Sequence, residues 1–218
     1  MHNDDFGMTT KWVRAAAALG LLYAARRYYR NWGTTKDECQ IELPGDDLVR
    51  QPATRTTEGI TVDASAEAVW QALMQRFDPD AEGLKPGEVV RIDPYGWWRL
   101  PRDMALTVER VVDGSAVILR GAPPQFPWRT VVSFHVLPRL QDQARLLVRN
   151  RTELRRPGEV LLIESTGPIV AFATRRLLLD IKRGAEQSPE RQTAVTVRSA
   201  SEPNTKRLPV TLTGRMRT

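Results

Sequence analysis

"RTTEGITVDASAEAVWQALMQ", Arg55 to Gln75, changes its period in the middle. Ile60 and Val62 alternate with Gly59, Thr61 and Asp63, the two-residue rhythm that predicts a strand over 57–63. Beyond Ser65, Val69, Trp70, Leu73 and Met74 recur at helical spacing and predict a helix over 65–75. Ser65 is the expected N-cap, and Glu67 stands in the first turn, where the helix dipole favours a carboxylate. A strand thus feeds a helix almost without a loop, and Trp70 reads as core.

Working outward, Asp78, Pro79 and Asp80 close that helix. Short alternating runs follow at 87–92, 105–112, 115–120, 128–137 and 144–152. "VDGS" at 112–115 signals a tight hairpin, and "PRLQDQ" at 138–143 a longer one. The last element reads as a long helix with Pro168 in its first position. Its inward stripe is Val170, Ala173, Thr174, Leu177, Leu178, Ile181 and Ala185. Strand, helix, five meandering strands and a long helix define an α+β layout, with the last helix along the concave side of a curved antiparallel sheet.

The 218 residues suit one domain with extensions. Six Lys/Arg against two Asp at 1–36, and six against two Glu at 188–218, hold the excess positive charge. The body, 37–187, has 20 basic and 22 acidic residues, so a nucleic-acid-binding body is not expected. The single Cys39 excludes an internal disulfide framework, and with His2 and His135 as the only histidines no zinc-type metal site is expected. No phosphate loop or dinucleotide fingerprint occurs, so no cofactor is expected.

Four segments emerge. Residues 188–218, rich in Ser, Thr, Arg and Pro, read as a disordered basic tail, with "TAVTV" at 193–197 as its strand-like stretch. Residues 32–54 read as an irregular polar connector, and 55–187 as the domain. Residues 1–31 carry an apolar helix, "KWVRAAAALGLLYAARRYYRNW", with no polar face. Trp12 to Tyr29 would cover about 27 Å at the helical rise, close to a bilayer core of roughly 30 Å. Leu19, Leu21, Leu22 and Tyr23 would meet lipid, with Trp12, Tyr28 and Tyr29 at the interfaces and Arg26 and Arg27 snorkelling. Three readings stand open: a single span, an interfacial helix, or a helix docked on the domain or on a membrane-protein partner. "RRYYR" is a poor signal-cleavage region, and if the helix spans, Arg26, Arg27 and Arg30 place the body on the cytoplasmic face of the bacterial membrane.

Catalytic groups are scarce. His135 lies between Phe134 and Val136, while Trp128, Thr130, Val132, Phe134 and Val136 form the apolar face, so His135 is expected to face solvent. Ser133 shares its strand, but no carboxylate is in view to orient the pair, and no nucleophilic site is assigned. Leu146, Val148, Asn150 and Thr152 face inward on the last strand, opposite Arg145, Arg149 and Arg151. A buried Asn150 must find a partner, in the sheet, in water or in a ligand. Two aromatic loops, 93–103 and 121–130, bring Tyr95, Trp97, Trp98, Phe126 and Trp128, as a pocket rim, a membrane-touching edge or a satellite cluster. Phe172 and Leu179 point away from the inward stripe among Arg175, Arg176, Lys182 and Arg183, a face for anionic lipid, for the N-terminal helix or for solvent.

In order, "WGTTKDECQIELPGDDLV", "TEGITVDASAEAVWQALMQ", "LKPGEVVRI", "SFHVLPRLQDQARLLVRNR" and "GPIVAFATRRLLLDIKRGAEQ" resemble the START-like, polyketide cyclase/dehydrase (SRPBCC) superfamily. They look like an actinobacterial subgroup with an N-terminal apolar segment, over about residues 32–187. The resemblance implies the helix-grip fold, with Trp70 plugging one end of the sheet. That subgroup carries a long aromatic- and glycine-rich insertion after the first helix; this chain has only "RFDPDAEGLKPG", which leaves one cavity wall thin or missing.

The resulting expectation is a membrane-associated binder of an apolar small molecule or lipid. Trp97, Trp98, Phe126 and Trp128 would gate entry. Val132, Phe134, Leu146, Val148 and Asn150 would contribute the sheet wall, and Ala173, Thr174 and Leu177 the helix wall. The alternatives are a membrane-tethered protein-interaction subunit with a filled core and a cyclase/dehydrase-type enzyme.

Overall fold

The computed structural model describes residues 30–78, 83–91, 105–122, 128–140, 142–154, 156 and 158–187, with 13, 14, 16, 17, 20, 21, 23, 24 and 26 of the N-terminal segment. A short helix α1 (Lys36–Gln40) and a 3-10 turn (Asp46–Leu48) precede strand β1 (Thr54–Val62) and helix α2 (Ala66–Phe77). Strands β2 (Val89–Arg91), β3 (Ala105–Val112), β4 (Ala116–Gly121), β5 (Arg129–Arg139) and β6 (Gln143–Glu153) lead to helix α3 (Glu159–Glu186). All pairings are antiparallel in the order β1-β6-β5-β4-β3-β2. This is an α+β helix-grip arrangement, a curved sheet closed by its C-terminal helix.

The strand-to-helix junction forms as its sequence requires. Ser65 Oγ accepts from Ala68 N at 3.2 Å and caps α2. Val69, Leu73 and Phe77 bury one face of α2 on the sheet, where Phe77 meets Phe134 edge-on at 4.9 Å between centroids. Trp70 packs half-buried against the same core. Leu177, Leu178, Ile181 and Ala185 of α3 complete it over Val62, Leu146, Val136 and Val117. A register shift between Val108 and Arg110 bulges β3, a device that bends a strand and sharpens the curve of a sheet.

Two features of α3 correct the sequence reading. The helix starts at Glu159, and Pro168 lies inside it. The helix continues through the proline, which withholds one N–H from the ladder and crowds the carbonyl of Glu164 one turn before it. Val170, placed on the inward stripe, is 43% exposed, because α3 seals the sheet only from Ala171 onward.

The convex face holds the larger correction. His135, expected at the surface, is 1% exposed. The stretch read as an irregular polar connector folds over that face and covers it. Val49 packs with Ala116, Ile118 and Val131, supported by Leu48. Three arginines of β6 hold the stretch down. Arg145 makes a bidentate pair with Glu38, both contacts 2.8 Å, and reaches the Gly33 carbonyl. Arg149, 0% exposed, donates to Ile41 O (2.8 Å), Glu38 O (2.7 Å), Asp46 Oδ2 (2.6 Å) and Thr57 Oγ1 (3.2 Å). Arg151 donates to Val49 O (2.8 Å) and Arg50 O (3.2 Å). A guanidinium is tolerated in such a place because its planar fork meets several acceptors at once.

The same stretch shields the edge of β1. Gly59 N donates to Trp32 O (3.0 Å) and the Thr34 hydroxyl to Thr57 O (3.1 Å), so the outer strand does not present a bare ladder there. Thr35 and Glu38 then form a reciprocal capping box on α1.

Candidate functional site

The concave face is built from cross-strand rows. Nearest the α2 end, Val62 pairs with Ala144, and Ile60 pairs with Leu146, which meets Val136. Glu58, Val148, Phe134 and Val117 form the next row, all buried. Two residues further, Thr56, Asn150 and Val132 are half-buried, though Leu119 in the same row is sealed. Beyond it, Thr54, Thr152, Thr130 and Gly121 are buried again. A half-open row between two closed ones is a gap in the cover, not a frayed edge. The facing turns of α3 carry small side chains, buried Ala171 and Ala173 and half-buried Thr174, whose hydroxyl is turned back to Val170 O at 3.0 Å.

Asn150 stands in this gap. Its Oδ1 lies 2.7 Å from the Thr130 hydroxyl and 3.2 Å from that of Thr152, and the two hydroxyls lie 2.9 Å apart. The carboxamide is thereby oriented by the sheet, and its Nδ2 has no partner among the described residues.

Glu58 is the polar group that the sequence reading passed over. It is 4% exposed, on the inner face of β1, and its Oε2 has no hydrogen-bond partner among the described residues. Arg175 of α3 approaches that oxygen with Nε at 3.4 Å and lies over the Trp32 ring at 5.0 Å. Burial pushes the Glu58 carboxyl up to about 8, and the Arg175 charge offsets only part of that rise. Burial thus favours the protonated carboxyl, and the Arg175 ion pair favours the carboxylate. The clue was in the alternation, since Glu58 is in phase with Ile60 and Val62.

The expected ligand-binding residues divide by position. Phe134, Leu146, Val148, Ala173 and Leu177 are buried in the packing between sheet and helices. Val132, Asn150, Thr174 and Trp128 are half-buried. Trp97, Trp98 and Phe126, with Tyr95, lie outside the described residues. So do the basic tail and, of the membrane-contact set, Trp12, Leu19, Leu22, Arg27, Tyr28 and Tyr29. Leu21 and Tyr23 are exposed, and Arg26 Nε and Nη2 pair with Glu164 of α3 at 2.7 and 2.5 Å, with Arg30 3.6 Å from the same carboxylate. Among the described residues no helix is long and apolar enough to cross a membrane.

Ser133 and His135 sit together, but under the folded-over stretch rather than in the gap. The Ser133 hydroxyl donates to Arg149 O at 3.4 Å, and His135 Nε2 is unpartnered among the described residues. Burial, then the Arg149 charge, push His135 down to about 4 against the pull of Asp46. Cys39 is half-buried, with Sγ 3.4 Å from the Thr34 hydroxyl.

No protein-family model matches the sequence, and no curated protein matches it. Among solved structures, a truncated norcoclaurine synthase from Thalictrum flavum is 16% identical, with a TM-score of 0.43 over 62% of this chain and 94% of that one. The Zhui aromatase/cyclase from Streptomyces sp. R1128 gives the same 16%, 0.43, 62% and 94%. The di-domain ARO/CYC BexL is 16% identical with a TM-score of 0.41, over 61% of this chain and 46% of that one. Likeness at this level carries nothing about the chemistry of this chain.

Proposed function

We propose that the chain binds an apolar small molecule or lipid in the gap between the curved sheet and α3, and that its N-terminal segment holds the domain at the cytoplasmic face of the membrane. The observation that supports binding is the half-open row Thr56, Asn150 and Val132, flanked by sealed rows and faced by the short side chains of α3. Apolar walls with a few oriented polar groups are the usual make-up of a small-molecule site. The loops that hold Trp97, Trp98, Phe126 and Trp128 join strands at 92–104 and 122–128, where they would gate entry.

Filling the gap tests this reading. Full-length chain should take up the apolar fluorophore phenylnaphthylamine with a rise in emission, and Val132→Trp should abolish the rise while keeping the native melting transition. An equal response from both proteins would show that the probe binds elsewhere and would overturn the proposal.

A second reading, a membrane-tethered interaction subunit, draws on different observations. The α2 half of the core is filled, and Phe172, 59% exposed, and Leu179 lie on the outer face of α3. A partner bound there would survive Val132→Trp. The cyclase/dehydrase alternative needs a reacting acid or base at the gap, and the nearest carboxyl on the inner face, Glu58, is buried in the adjoining closed row against Arg175.

A further inference from the structure

The outer face of α3 carries an apolar stripe that the packing of the domain does not use. Leu161, Pro168, Phe172 and Leu179 follow one another by seven, four and seven residues, the spacing of a single helical stripe. All four are exposed, Leu161 at 76% and Phe172 at 59%, and Ile169 stands exposed beside them. From Leu161 to Leu179 the stripe runs about 27 Å at the helical rise. Single exposed apolar side chains are ordinary, but a continuous row of them marks a contact surface.

The positive charge of the chain gathers at the two ends of this stripe. Near Leu161, Arg26 and Arg30 of the N-terminal segment meet Glu164. That segment belongs to residues 1–36, with six Lys/Arg against two Asp, and the tail that continues from Gln187, beyond Leu179, has six against two Glu. The acidic residues beside the stripe are matched, Asp180 by Arg183 at 2.7 Å and Glu186 by Lys182 at 3.1 Å. Arg176, exposed between Phe172 and Leu179, has no acidic partner among the described residues. An anionic surface laid along α3 therefore meets surplus cations at both ends and Arg176 in the middle, whereas residues 37–187 as a whole hold 20 basic residues against 22 acidic.

Resting on the membrane association proposed above, but not on a ligand in the gap, we infer that the outer face of α3 is a second membrane contact, lying flat on an anionic leaflet. Leu161, Phe172 and Leu179 enter the boundary between headgroups and acyl chains, and Arg176 lies among the phosphates. The layer of residues 32–53, on the opposite face of the sheet, then looks away from the bilayer. Other occupants fit less well. The N-terminal segment is already tied to α3 through Arg26, and the stripe remains exposed. A second copy would bring another pair of cationic ends to the same face, where like charges repel. The all-round apolar segment held beside the stripe favours lipid over an acidic protein.

The test uses the full-length chain with Cys39→Ser and one bimane label, on Phe172→Cys, on Leu21→Cys of the N-terminal segment or on Glu42→Cys of the convex layer, all exposed positions. Vesicles whose acyl chains carry bromine quench a label that touches lipid. On mixed phosphatidylglycerol and phosphatidylcholine, the labels at 172 and 21 should be quenched and the label at 42 should not. Arg176→Gln should lower the ratio of docked to undocked label at 172 about fivefold, the share of one basic residue near an anionic leaflet, and leave quenching at 21 unchanged. Quenching at 21 but not at 172 overturns the inference and leaves the N-terminal tether standing. Quenching at 172 alone supports this contact and counts against the tether, and quenching at neither defeats both. Equal quenching at 172 and 42, or equal quenching at 172 on pure phosphatidylcholine, also overturns the inference. So does a label at 172 that is shielded from aqueous iodide without being quenched by bromine, the sign of a protein on this face.

Discussion

Glu58 and His135 are both buried titratable groups, and they make stability depend on pH in opposite senses. Unfolded, Glu58 titrates near 4.5, and folded at about 8. Its contribution is complete below the lower value and is lost as pH rises through the higher. His135 titrates near 6.5 unfolded and about 4 folded. It has no effect above 6.5, and stability is lost as pH falls towards 4. Between about 4.5 and 6.5 the two slopes cancel, and above 6.5 only the Glu58 slope remains. Urea unfolding of the chain should therefore lose about 2 kcal/mol between pH 6.5 and 8. Glu58→Gln should be flat over that window, and the same slope in both proteins would contradict the assignment. Arg149 offers a plainer test. Arg149→Met takes the buried charged donor from Asp46, which among the described residues keeps only Leu43 N and the Arg151 ion pair, and from two backbone carbonyls, and denaturant midpoints should report a loss of about 3–5 kcal/mol.

At the scale of elements, the stretch from Trp32 to Ala53 behaves as a structural layer of its own. Its first turn passes so near β1 that a Cβ on Gly33, at φ 70°, would run into the Gly59 carbonyl oxygen. Gly33→Ala should cost more than about 1 kcal/mol, since φ is unfavourable and the obstacle is backbone. Hydrogen exchange would locate that loss at Gly59 N and along α1. The sequence showed the strands, α2 and its cap because each depends on neighbours a few residues away. It did not show this layer, because its large apolar residues, Trp32, Ile41, Leu43, Leu48 and Val49, follow neither a strand nor a helix period, and its anchors lie about a hundred residues downstream. The arginines were correctly placed on the far face of β6. Their burial was hidden because isolated charges read as solvent-facing. "AVIL" at 116–119 was the available clue, an unbroken apolar run of the kind found in strands buried on both sides.

For the whole molecule, the sheet is covered twice, by α2 and α3 on one face and by the arginine-held layer on the other. Among the described residues, the packed layers therefore begin near residue 32, upstream of the boundary expected at 55. A chain beginning at Thr54 would bare Arg149, Arg151, Ile118 and Val131 and should show no cooperative thermal transition by circular dichroism, whereas one beginning at Trp32 should keep it. The candidate site was half legible. The inward alternation identified Val132 and Asn150, but the gap depends on where α3 stops covering the sheet, and Glu58 was masked by its charge. Arg26 and Arg30 meet Glu164 on α3, so the segment proposed to meet the membrane is tied to the helix that walls the site.

The central claim is that this gap holds an apolar ligand. The most direct measurement is native mass spectrometry of the full-length chain taken from membranes in mild detergent, with extraction and identification of any adduct. The account predicts one apolar molecule per chain, absent from Val132→Trp. A wild-type chain that is free of adduct, or one that carries a protein partner instead, would contradict it.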